Sequence, residues 1–182
     1  MIRSLYEDLI YWKNSANRKP LILQGARQVG KTWLMKDFGK QEFEKTVYLN
    51  FESSERLKNL FLVDFDIQRI ITTIEIEVGY KIQADKCLLI FDEIQEAEKG
   101  LTALKYFYEQ APEYFIIAAG SLLGVSLQKS TSFPVGKVDF LQMYPMSFAE
   151  FLENTGQQLL LAQLEAENWA IVDTFHDKLV DL

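Results

Sequence analysis

Hydrophobic and polar positions along this chain switch repeatedly between two periods. Short apolar runs over residues 19–24, 86–93 and 114–119 predict buried strands, the β-branched and aromatic residues 46–51 predict another, and residues 138–144 read as a fifth. Between them apolar residues recur three and four apart, which predicts helices. Leu5, Leu9, Ile10 and Trp12 give a short first helix. Leu34, Met35 and Phe38 mark one side of a helix that begins at Lys31 and is expected to stop at Gly39. Ser53 is expected to cap a short helix over residues 54–60. Asp66 caps a longer one, with Ile67, Ile70, Ile71, Ile74 and Val78 on one stripe and Gly79 as its stop. The β-branched residues of that stripe favour strand, but their spacing favours helix. Leu101, Leu104, Tyr108 and Ala111 predict a further helix, ended by Pro112. Ser147 reads as an N-cap, with Glu150 three residues on completing a capping box. Residues 157–182 are helical in composition, with no internal glycine or proline stop.

Strand and helix alternate five times, and residues 86–93 form a continuous apolar run. Together these predict an α/β fold: a parallel sheet of five strands, buried on both faces by helices. Residues 1–156 are expected to form one core domain with an N-terminal helix. Residues 157–182 are expected to be a separate helical segment, the start of a lid or of a truncated C-terminal region.

The composition narrows the function classes. The 182 residues suffice for one α/β domain, and 48% hydrophobic content is ordinary for a globular protein. No stretch approaches the roughly 20 apolar residues of a membrane span, and the charged N-terminus lacks a signal-peptide core. A cytoplasmic protein without a membrane partner is expected. Cys87 and His176 are each the single residue of their type, which excludes a disulfide within the chain and Cys- or His-cluster metal sites. Cys87, at the head of an apolar strand, is expected in the core. The net charge of −7 gives no support to nucleic acid as a partner.

Chemistry concentrates between the first strand and the helix after it. Gly25-Ala26-Arg27-Gln28-Val29-Gly30-Lys31-Thr32 matches the phosphate-binding pattern G-x-x-x-x-G-K-[ST], with Trp33 following. The two glycines let the backbone turn sharply and approach phosphate oxygens. Successive N–H groups then form an anion nest at the positive end of a helix dipole. Lys31 is expected to reach the β- and γ-phosphates, and Thr32 to offer its hydroxyl to Mg²⁺. Residues 25–33 are therefore the candidate nucleotide-binding segment. Arg27 is either a further cation for the ligand or a solvent-facing ion-pair partner.

The third strand ends in Asp92-Glu93. Ligands of open α/β sheets bind at the carboxyl ends of strands. Asp92 joins Thr32 as a candidate Mg²⁺ holder, and Glu93 is the candidate that orients a water. The plainer alternative is a strand end leading into a solvated helix. Ser121, after the fourth strand, is either a sensor of the γ-phosphate or a turn residue beside Gly120. Asn50, ending the second strand, is either a strand-end cap or a partner that holds Glu93 off line.

Taken together, the GARQVGKT, LLIFDEIQ, AAGS and GKVDFLQMYPMSFAEFL stretches resemble prokaryotic AAA-type ATPases of the ASCE division of P-loop proteins. The resemblance implies a sheet order 5-1-4-3-2, ATP with Mg²⁺, and coupling to a partner. It gives Lys31, Thr32, Asp92 and Glu93 the Walker roles and puts Ser121 at the sensor-1 position, so that Lys31, Glu93 and Ser121 are the candidate catalytic residues. Two departures stand out. Gly136-Lys137 occupies the place where family members often carry Gly-Arg, and lysine keeps the charge without arginine's fork. The glycine-rich segment and additional C-terminal domain of full-length members are missing, so a fragment or a trimmed ATPase core is expected.

The resulting expectation is an ATP-binding, Mg²⁺-dependent ATPase core. Its partner is an unknown protein or its own missing C-terminal domain, and oligomerisation is left open. An ATP-gated interaction switch with little hydrolysis is the alternative. A small-molecule kinase ranks below both, because no arginine-rich lid is visible.

Overall fold

A computed structural model of the chain describes residues 3–120 and 136–175. These residues fall into two units, Leu5–Pro145 and the combination of Met1–Ser4 with Met146–Leu182. In the first unit, five strands form one sheet in the order β2-β3-β4-β1-β5, with every pairing parallel. The strands are β1 (Leu21–Gln24), β2 (Lys45–Asn50), β3 (Cys87–Asp92), β4 (Phe115–Ala119) and β5 (Asp139–Gln142). Read from the other edge, this is the expected 5-1-4-3-2.

Two-residue periodicity divides the strands between two cores. Leu21, Leu23, Leu88, Ile90, Ile117 and Ala119 face a cluster completed by α1 (Leu5–Asn14) and α2 (Lys31–Glu42). Ile22, Leu89, Phe91, Ile116 and Ala118 face the opposite cluster, completed by α3 (Glu55–Lys58), α4 (Ile67–Val78) and α5 (Gly100–Gln110). Every residue of β3 is buried, as its unbroken apolar run implies. Cys87 is in the core.

Helix boundaries follow local chemistry. Asp66 accepts the Arg69 N–H to start α4, and Gly79 ends it in the left-handed region at φ 81°. Three expectations are corrected. Helix α2 runs through Gly39 to Glu42. A Cβ at Gly39 would lie 2.3 Å from Thr46 Oγ1, so this glycine serves the close packing of α2 on β2. Ser54, not Ser53, caps α3, accepting the Leu57 N–H. In α5 it is Phe107, not Tyr108, that enters the core beside Leu104.

In the second unit, the helices are α6 (Phe148–Asn154), α7 (Gln158–Glu165) and α8 (Trp169–Thr174). The expected capping box is present: Ser147 accepts the Glu150 N–H, and Glu150 accepts the Ser147 N–H. Glu150 also takes the Ser4 N–H at 2.8 Å, the Ser4 hydroxyl at 2.9 Å and Arg3 Nε at 3.2 Å. Burial opposes its charge, but these donors outweigh burial and bring the carboxyl down to about 2.

Candidate functional site

The loop between β1 and α2 is built on two glycine conformations. Gly25 has φ 153°, and a Cβ there would lie 2.3 Å from the Met143 carbonyl oxygen. That carbonyl follows β5, and the Met143 N–H donates to the Gln24 carbonyl. Any larger residue at 25 would push the loop off the sheet. Gly30 is left-handed at φ 96° and caps α2 without a side-chain hydrogen bond. The first N–H groups of α2 thus receive no capping side chain from Gly30, and a helix start of this kind attracts anions.

Lys31 is buried and turns back over the loop. Its Nζ donates to the Gly25 carbonyl at 2.8 Å and to the Ala26 carbonyl at 2.7 Å. An ammonium has three donors, so one is left for a phosphate oxygen. Burial pulls the Lys31 pKa below its usual value, while Glu93 and Asp92 pull it back up.

Asp92 ends β3 opposite Asn50 of β2 and Ala119 of β4. It shares the parity of Leu88 and Ile90, so it faces α2. Its Oδ2 accepts the Thr32 hydroxyl at 2.8 Å and the Tyr48 hydroxyl at 2.8 Å. Its Oδ1 accepts the Glu93 N–H at 3.2 Å. Burial, followed by the Asp92 hydrogen bond, raises the Tyr48 pKa, and a hydrogen bond with Asn50 partly offsets this. The Tyr48 ring carries Lys36 Nζ at 3.5 Å from its centroid.

After Asp92 the backbone turns sharply. Glu93 is left-handed at φ 51° and leads into a 3₁₀ turn over Ile94–Glu96. Gln95 Nε2 donates a short hydrogen bond to Glu93 Oε2. The Asn50 side-chain oxygen accepts the Glu52 N–H at 2.9 Å, so Asn50 caps the turn after β2.

Lys31, Thr32, Asp92, Glu93 and Gln95 line one open cleft of about 520 Å³, a size typical of small-molecule sites. Of the expected residues, Arg27, Gln28, Gly30, Lys31, Thr32, Trp33, Asp92 and Glu93 line it. Gly25 and Ala26 form the loop beneath, and Val29 packs against the core. Ser121 lies outside the described residues. Lys137 ion-pairs with Glu109 of α5 at 3.0 Å, ahead of β5 and therefore at the sheet end opposite the loop. Sequence reasoning misses Tyr48, Glu52, Gln95 and Glu96, although the two-residue period back from Asn50 puts Tyr48 on the face of Asp92. Gln95 has no such signal, because the 3₁₀ turn breaks both periodicities.

The donor set fits a magnesium nucleotide. Mg²⁺ is usually held by one or two protein oxygens together with phosphate oxygens and water. Thr32 and Asp92 offer such a pair beside the helix start. Among the described residues, no group of three or more His, Cys, Asp or Glu side chains forms a self-contained metal cluster. Nor is any helix among them long and apolar enough to cross a membrane.

The fold recurs in known proteins. The Walker-type ATPase PABY2304 of Pyrococcus abyssi superposes with a TM-score of 0.53 at 17% identity, over 85% of this chain and 57% of that one. The ORC1 protein of Aeropyrum pernix, solved in complex with DNA, gives a TM-score of 0.48 at 13% identity, over 90% of this chain and 53% of that one. The chain therefore spans little more than half the length of these two proteins. No curated protein matches the sequence. The sequence pattern of the AAA domain matches residues 17–152, which include the loop, β3 and the capping box of α6. The chain belongs to the AAA domain family and is an AAA-type P-loop ATPase core.

Proposed function

We propose that this domain binds ATP with Mg²⁺ and hydrolyses the terminal phosphate. The meeting of the Lys31 ammonium, Thr32 hydroxyl and Asp92 carboxylate at the start of α2, inside one cleft, carries this reading. Thr32 and Asp92 would hold the metal. A metal held there would supply charge neutralisation for the transferring phosphate. Lys31 and the loop N–H groups stabilise the charge that builds on the phosphoryl oxygens. Glu93 orients the attacking water and draws off its proton. Arg27 and Trp33, both exposed at the cleft, would be available to the bound nucleotide.

The ATP cycle drives a protein partner. We place this work in the cytoplasm.

Glu93→Gln tests the catalytic part of the reading. The variant is expected to bind ATP as the wild type does and to release phosphate at least about 100-fold more slowly. Unchanged phosphate release would remove Glu93 from the reaction.

A further inference from the structure

Gln95 touches Glu93 directly, and its own hydrogen bonding is unbalanced. Its Nε2 donates to the Glu93 carboxylate. Its Oε1 is buried and has no hydrogen-bond partner among the described residues. Chemistry fixes which end points where: only the NH₂ group can face a carboxylate oxygen. A buried amide oxygen without a donor costs stability. A methionine of similar volume would avoid that cost. Residue 95 therefore departs from what packing alone favours, and such departures concentrate at functional sites.

The turn explains how the contact is made. Ile94 is fully buried and anchors the 3₁₀ segment in the core. The Glu96 N–H closes the turn on the Glu93 carbonyl at 2.9 Å. Glu93 and Gln95 flank the anchor, and both line the cleft. A carboxylate has about four acceptor positions. The amide can therefore fix the rotamer of Glu93 through one oxygen while the group still accepts from water. We propose that Gln95 is a positioning residue that holds the Glu93 carboxylate in its water-orienting pose. This rests on the reading of Glu93 given above.

The test compares wild type, Gln95→Met, Gln95→Glu, Glu93→Gln and the double variant Glu93→Gln/Gln95→Met. Phosphate release is measured against ATP concentration, ATP binding by tryptophan fluorescence, and Tm without nucleotide. Gln95→Met is expected to lower kcat at least about tenfold, since small misplacements of a reacting group carry losses of this order or more. KM and ATP affinity should stay near the wild-type values, because an interaction made only in the transition state lowers kcat and kcat/KM alike when lost. Its Tm should equal or exceed that of the wild type, which a merely structural glutamine would not allow. Gln95→Glu keeps the size, cannot donate from a carboxylate and repels Glu93, so its kcat should fall at least as far. Adding Gln95→Met to Glu93→Gln should slow the reaction no further. An unchanged kcat in both Gln95 variants, a lowered Tm or misfolding of Gln95→Met, or additive losses in the double variant would overturn the proposal. If Glu93→Gln alone hydrolyses at the wild-type rate, the reading of Glu93 has failed first, and the proposal falls with it.

Discussion

The Thr32 hydroxyl donates to the Asp92 carboxylate across 2.8 Å, joining residues 60 positions apart. The bond ties the start of α2 to the end of β3. Asp92 is only 5% exposed, and a buried carboxylate is tolerated only when donors satisfy it. Thr32, Tyr48 and the Glu93 N–H supply three. The pair proposed to hold the metal is thus assembled by the protein's own hydrogen bonds.

Tyr48 is a donor to Asp92 that does not itself belong to the proposed metal pair. Tyr48→Phe keeps the ring, and its contact with Lys36, while removing the hydroxyl. The Mg²⁺ concentration that half-saturates ATP hydrolysis is expected to rise about tenfold or more, the usual scale for partners of metal-binding side chains. A magnesium titration of both proteins at fixed ATP checks this. An unchanged midpoint would mean that Thr32 and the Glu93 N–H hold Asp92 without help.

Gly39→Ala sets two effects against each other. Alanine improves helix propensity by about 1 kcal/mol. The added methyl, however, would sit 2.3 Å from Thr46 Oγ1 and 2.8 Å from its Cγ2. Threonine is stiff at χ1, and overpacking costs about 1–3 kcal/mol. Net destabilisation is expected in urea denaturation. Pairing Gly39→Ala with Thr46→Ala should recover most of the loss, because the second change opens the space.

Glu150 makes the second unit sensitive to acid. Its carboxyl lies at about 2, below the ordinary 4.5. A depressed carboxyl stabilises the fold fully above about pH 4.5, and that contribution disappears as the pH falls towards 2. Glu150→Gln removes the carboxylate of the buried Arg3–Glu150 ion pair, at an expected cost of about 3 kcal/mol near neutral pH. Denaturation of both proteins across this range should show the difference narrowing with acid. A constant difference would contradict the ion-pair account.

Much of the fold and the site is legible in the sequence because it depends on local rules. The apolar runs mark the strands, and the strand ends mark where Asp92 and the loop meet. The capping residues Asp66, Gly79 and Ser147 act within a few positions of themselves, so their roles can be read directly. What escapes depends on distant contacts. Gly39 reads as a helix stop until Thr46 is seen against it, and tertiary packing then overrides its propensity. In α5 the adjacent aromatics Phe107 and Tyr108 both suit an apolar stripe, and the helix phase that sends Phe107 inward is fixed by packing on the sheet. Gln95 is hidden because a 3₁₀ turn follows neither period.

The central claim is that the loop from Gly25 to Thr32 holds a triphosphate through Lys31. The most direct test is a calorimetric titration of wild type and Lys31→Ala with ATP and Mg²⁺. The wild type is expected to bind, and the variant to lose at least about 100-fold in affinity, about 2.7 kcal/mol by the usual conversion. ATP binding of wild-type strength in the variant would contradict the account.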